Sequence, residues 1–236
     1  MRFAAALVLS LVLVPAPATS QQSTTAKPSA GPPRVTRAVR RTTPITIDGK
    51  LDDAAWVSAE PTAGFVQAYP QPGVIAPDQT EVRVLYDDDA LYVGIRMFDA
   101  HPDSIAAGLA RRDATAATGI YSDWVHLIID SYHDRRTAFR FSTTPRGVQK
   151  DVYTFNDGNE DTNWDAVWEV GTRVDSLGWV AEYKIPLSQL RFGGDSTGGG
   201  GRVWGFQVQR DIARRNEPRH MGAMESTGRR ICLTLR

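Results

Sequence analysis

One cysteine in 236 residues excludes an intrachain disulfide framework. Four histidines with no zinc-type spacing leave no zinc signature, and no Ser-His-Asp order stands out. The Gly-rich stretch Ser196 to Gly201 lacks a Gly-Lys-Ser/Thr ending, so it is no phosphate loop. There is no excess of either charge: 27 Lys+Arg face 27 Asp+Glu. That balance argues against a general nucleic-acid binder, which needs surplus cations to neutralise phosphates. The longest apolar run, Ala4 to Val14, has 11 residues. It is too short for a helical membrane span, which needs about 20.

What is present suits a globular chain. Hydrophobic residues make up 42%. The length fits one sandwich or barrel domain, or two small ones. The zero net charge averages unlike parts. Residues 1–43 hold six basic residues and no acid, and residues 214–236 hold six basic and two acidic ones. The span 44–213 therefore holds 15 basic and 25 acidic residues, together with all six tryptophans. The start reads as a secretory signal over residues 1–18: Arg2, the apolar run, then Ala16-Pro17-Ala18 as a small-x-small cleavage site. Ala18-Thr19-Ser20 would extend it to 20. Residues 19–43, rich in Pro, Ser and Arg, read as a disordered linker, with Arg34 to Arg41 as a solvated basic cluster. The expected location is secreted or periplasmic, in a Gram-negative-type bacterium. The processed chain is not expected to span a membrane.

From residue 44 on, alternation of period two dominates. Val82, Val84 and Tyr86 share a face, and Leu91, Val93, Ile95 and Met97 alternate with Tyr92, Gly94, Arg96 and Phe98 across an Asp87–Asp89 turn. Val125, Leu127 and Ile129 alternate with Trp124, His126 and Ile128, and Phe139 and Phe141 with Arg140 and Ser142. Further strands are predicted at 148–154, 167–174, 178–185 and 203–212, with short helical turns at Leu51 to Val57 and Pro186 to Leu190. The expected fold is all-β: an antiparallel β-sandwich of jelly-roll or immunoglobulin-like type.

A loop centred on His133 would pair His126 with Arg140, on the face opposite the Val, Leu, Ile and Phe side chains, with Trp124 and Tyr121 beside them. Trp56, Trp168, Trp179 and Trp204 are expected in the core, and Trp164 is expected to be an exposed stacking residue. Two acidic sets offer the hard oxygens calcium prefers: Asp157, Glu160 and Asp161, or Asp123, Asp130 and Asp134. Neither has EF-hand spacing. Asp48-Gly49 and Asp87 to Asp89 read as turn formers.

Several segments, in order, resemble family 9 carbohydrate-binding modules. They are Ile45-Thr46-Ile47-Asp48-Gly49 to Trp56, Thr80 to Asp87 with Leu91-Tyr92-Val93, Asp123-Trp124 to Asp130, Thr137 to Phe141, Gly178-Trp179 to Pro186, and Trp204-Gly205-Phe206-Gln207. The resemblance covers residues 44–213. Tyr132 to Phe139 and Trp164-Asp165-Ala166-Val167-Trp168 are similar to one branch, in which the module precedes an outer-membrane-type β-barrel. The tail, 214–236, departs from that branch and reads as divergent, as in a truncated or frame-shifted product.

The resemblance implies a non-catalytic module that binds a carbohydrate ligand, is linked to carbohydrate catabolism and needs no cofactor beyond structural calcium. The family's sugar-binding arginine falls on Arg140, its carboxylate on His126, and its first flanking tryptophan near Tyr121. Its second flanking tryptophan has no counterpart. Trp124 and Trp164 complete the candidate set, and Asp157, Glu160 and Asp161 are the candidate calcium ligands. The alternatives are an accessory domain of a glycoside hydrolase and a periplasmic domain orphaned from its barrel. No carboxylate pair stands in a recognisable catalytic motif.

Overall fold

The structure is a computed structural model. It describes residues 34–68, 71–114, 120–156, 158–191 and 202–215, and the backbone of 226–235. The signal-like start, most of the linker, Asp157 and the Gly-rich loop lie outside these residues.

Two sheets pack face to face. The larger runs β1 (Arg34–Arg37), β13 (Ser226–Leu235), β12 (Arg202–Asp211), β6 (Trp124–Asp130), β7 (Ala138–Thr143), β8 (Gln149–Phe155) and β9 (Asn159–Asp161). A short β3 (Val66–Gln67) also pairs with β13. The smaller sheet runs β10 (Glu169–Asp175), β11 (Gly178–Pro186), β5 (Ala90–Phe98), β4 (Thr80–Tyr86) and β2 (Val39–Arg40). Pairing is antiparallel except for β1 with β13 and β2 with β4. The all-β sandwich expected from the alternation is therefore present. So are its two helical turns, as α1 (Ala54–Val57) and a single 3₁₀ turn at Leu187–Gln189.

The period-two pattern is the cause of the layering. Val82, Val84, Leu91, Val93, Ile95 and Met97 meet Val125, Leu127, Ile129, Phe139, Phe141, Phe206 and Val208 between the sheets. Trp168, Trp179 and Trp204 are buried there as expected. Trp164 is not exposed. It packs on Phe139 and Phe141 at ring separations of 5.1 and 5.7 Å, because residues 164–168 tuck beneath the larger sheet.

The outer face of the smaller sheet has its own cover. Ala55, Trp56 and Ala59, with Ile45, Ile47 and Leu51, pack on Leu85, Ala90 and Tyr92. This close approach needs glycine at the Asp48-Gly49 turn. Gly49 has φ +82°, and an added Cβ would lie 2.6 Å from the Thr172 carbonyl carbon. Gly49→Ala therefore combines a left-handed backbone with a backbone collision. It is expected to lose about 2–3 kcal/mol, measured by urea unfolding.

The sheets extend past the 44–213 span. Backbone pairing places β13 between β1 and β12. Arg40 and Arg41, inside the presumed linker, clasp the hairpin turn: Arg40 pairs with Asp88 and Arg41 with Asp87. The Arg41 guanidinium also lies 5.0 Å over the Tyr92 ring. The three consecutive aspartates that break the strand pattern thus form the turn and also hold the incoming chain.

Candidate binding face

The larger sheet places β12, β6, β7 and β8 side by side, and their outward residues form a transverse row. Gln209 is opposite His126, His126 opposite Ser142, and Ser142 opposite Lys150. At the usual strand spacing this row is about 14 Å long. The next row toward the hairpin tip is Gln207, Ile128, Arg140 and Val152. On the other side lie Asp211 and Trp124.

His126 is held at both nitrogens. Nδ1 is 2.8 Å from the Ser142 hydroxyl and Nε2 is 3.0 Å from an Asp211 carboxylate oxygen. The carboxylate can only accept, so Nε2 carries the proton and donates to it. In the neutral ring Nδ1 then accepts from Ser142. Gln209 donates its amide to the other Asp211 oxygen at 3.1 Å. The Trp124 ring stacks parallel to His126, 6.1 Å away. Trp124 is 8% exposed, so it backs the imidazole instead of offering an open face. Tyr121, 63% exposed, is the free ring at the entry to β6.

Arg140 reaches Glu160 at 2.9 Å, while its Nε is buried with no hydrogen-bond partner. Lys150 is half-buried and makes no hydrogen bond or ion pair among the described residues. Burial first, and then the charge of Arg140, push its pKa down; Glu160 and Asp113 oppose this.

The structure thus unites His126, Arg140 and Trp124 on one sheet face, with Tyr121 beside β6, and excludes Trp164. His126 and Arg140 are diagonal neighbours, not directly paired: Arg140 is opposite Ile128. The loop, residues 131–137, is centred on Asp134 and not on His133. The Asp130 carboxylate accepts the Asp134 and Arg135 amides, and Asp134 accepts those of Arg136 and Thr137. His133 and Arg135 take positive φ, 54° and 60°, to close it.

Among the described residues, the carboxylates proposed for calcium have other partners. Glu160 pairs with Arg140, and Asp161 accepts the Asn163 amide. Asp130 and Asp134 cap the hairpin, and Asp123 accepts the Ala213 amide at 3.0 Å. Among the described residues no three His, Cys, Asp or Glu side chains converge, and Asp157 lies outside those residues.

Ser142, Lys150, Gln207, Gln209 and Asp211 belong to the face and were absent from the sequence-based set. The signal was available for β12, where Gln207, Gln209 and Asp211 alternate with Phe206, Val208 and Arg210. No such signal marked Lys150, which stands among residues of mixed character.

Two packed sheets, with polar side chains in register across one outer face, define an all-β sandwich. The chain belongs to the carbohydrate family 9 binding domain-like family, whose model matches residues 47–228. The fold is similar to that of two family 9 carbohydrate-binding module structures from Caldicellulosiruptor kristjanssonii. One, in complex with glucose, is 17% identical with a TM-score of 0.52, covering 85% of this chain and 97% of that one. The other, in complex with cellotriose, is 15% identical with a TM-score of 0.51, covering 85% and 95%. A Bacteroides uniformis protein is 10% identical with a TM-score of 0.58, covering 86% and 100%. A search of curated proteins returns no match.

Proposed function

We propose that the chain is a secreted or periplasmic, non-catalytic module that binds a saccharide on the outer face of its larger sheet, in the service of carbohydrate breakdown. The supporting observation is the row Gln209, His126, Ser142 and Lys150 with Arg140 diagonal to it. A sugar presents adjacent hydroxyls that both donate and accept. The Gln209 amide and the Arg140 and Lys150 cations can meet such an array, while the buried Ser142 hydroxyl and Asp211 fix the imidazole beneath them. Tyr121 supplies an exposed ring for a C–H face of the sugar. Membership of the family, and the glucose and cellotriose complexes of similar folds, point the same way.

Calorimetric titration of the full chain with glucose, cellobiose, xylose and polysaccharides tests the reading. Saturable binding is expected, and Arg140→Ala should weaken it about tenfold or more, the usual effect of losing a charged hydrogen-bond donor. Silence across the whole panel, from folded protein, would sink the proposal.

A further inference from the structure

We propose that this face takes saccharides bearing an anionic group, a carboxylate or a sulfate, and that Lys150 meets that charge. The inference rests on the saccharide reading above and narrows it to a ligand class.

Charged groups on the face are matched, with one exception. Asp211 has His126 and Gln209, and Glu160 has Arg140. Lys150 has no bonded partner among the described residues. The span 44–213 holds 25 acidic residues against 15 basic ones, so a half-buried cation bonded to none of them among the described residues, with Glu160 and Asp113 acting only at longer range, is unexpected there. Its position is not peripheral. Lys150 is level with Ser142 and His126, and diagonal to Arg140, whose Nε–H is buried without an acceptor.

The Lys150 ammonium, diagonal to Arg140 on the face, has donors that an acceptor docked there would meet. A sugar hydroxyl provides a neutral one. A carboxylate or sulfate provides several oxygens and a charge-assisted bond, roughly twice as strong. Burial and the nearby guanidinium disfavour the ammonium more than Glu160 and Asp113 favour it, and an anion docked beside it would offset both penalties.

The test is calorimetric titration of the full chain with cellobiose, digalacturonate and a sulfated galactose disaccharide, at low and high salt. At least one anionic sugar is expected to bind about tenfold tighter than cellobiose. The preference should shrink as salt rises. Lys150→Met should abolish the preference, weakening the anionic sugars about tenfold more than cellobiose, while Lys150→Arg retains it. Cellobiose binding as tightly as both anionic sugars would overturn the inference and leave the saccharide reading intact. Failure of every sugar to bind would overturn both. A preference that survives Lys150→Met would overturn the role of Lys150.

Discussion

Glu182→Ala is expected to destabilise the fold by about 3–5 kcal/mol, seen as a lower urea midpoint at unchanged slope in tryptophan fluorescence. Glu182 lies on β11 but points away from the inter-sheet core, and it is fully buried. One carboxylate oxygen accepts the amides of Asp48, Gly49 and Lys50 at 3.1, 2.7 and 3.1 Å. The other accepts the Trp56 indole N–H at 2.9 Å. Three successive amides aimed at one oxygen form an anion nest, which the positive φ of Gly49 makes possible. The same contacts fasten the segment carrying Trp56 onto the smaller sheet. Alanine would leave the buried Gly49 amide and Trp56 indole N–H unpaired, each costing about 1–3 kcal/mol unless water enters, while the Asp48 and Lys50 amides keep the Thr46 carbonyl and the Asp48 carboxylate.

The same carboxyl gives a pH signature. Burial pushes its pKa up to about 7 from the ordinary 4.5, against the pull of the Gly49, Trp56, Asp48 and Lys50 donors. A raised folded-state value means that the folded chain holds this proton more tightly than the unfolded one. Its stabilising contribution is full below pH 4.5 and declines as pH rises toward 7. The total swing is about 3 kcal/mol. Glu182→Gln cannot titrate, so this slope should vanish. Its amide –NH₂ would also face one of the donors, so it should be less stable than wild type at pH 5, with the gap narrowing by pH 8. A gap independent of pH would show that Glu182 stays ionised throughout.

Much of this architecture was legible in the chain. Val82 to Met97 and Val125 to Phe141 alternate cleanly, because each strand has one face in the core, and that alone fixes the faces. The location of His126 and Arg140 on the outer face follows from the same parity. Their register does not, because it depends on how Asp130 and Asp134 cap the loop and on two residues in left-handed conformation. Trp164 was misplaced because a polar flank says nothing about a chain that turns back under a sheet. Glu182 looked like an outward strand residue, since alternation cannot reveal that a distant turn covers the outer face. Arg40 and Arg41 looked like solvated charges, since their partners lie 48 and 46 residues away, respectively.

Asp99→Asn is expected to cost about 3–5 kcal/mol, because it removes the buried carboxylate that pairs with Arg214 and part of the counter-charge of the buried Arg210. Asp99 follows β5 in the smaller sheet, and Arg210 lies on β12 in the larger one, so their contact ties the two sheets. The Asp99 side chain has no exposure and Arg210 has 1%. Arg214 holds Asp99 with two bonds of 2.8 and 2.7 Å, the His101 amide donates at 2.8 Å, and Arg210 approaches at 3.4 Å. Burial raises the Asp99 pKa, but the Arg214 and His101 bonds outweigh it and hold the carboxyl below its ordinary value. With a depressed folded-state pKa, the contribution is present above the unfolded value and is lost as pH falls through the folded one. Wild type should therefore lose stability in acid more steeply than Asp99→Asn, and the two should converge at low pH. Arg210 gives the complementary check. Burial pushes its pKa down against the pull of Asp78, Asp99 and Asp123, and its Nε has no partner. Arg210→Met removes that buried charge, so Asp99→Asn/Arg210→Met should be more stable than Asp99→Asn alone. Strict additivity of the two substitutions in urea unfolding would show that the pair does not couple, and that Arg214 alone holds Asp99.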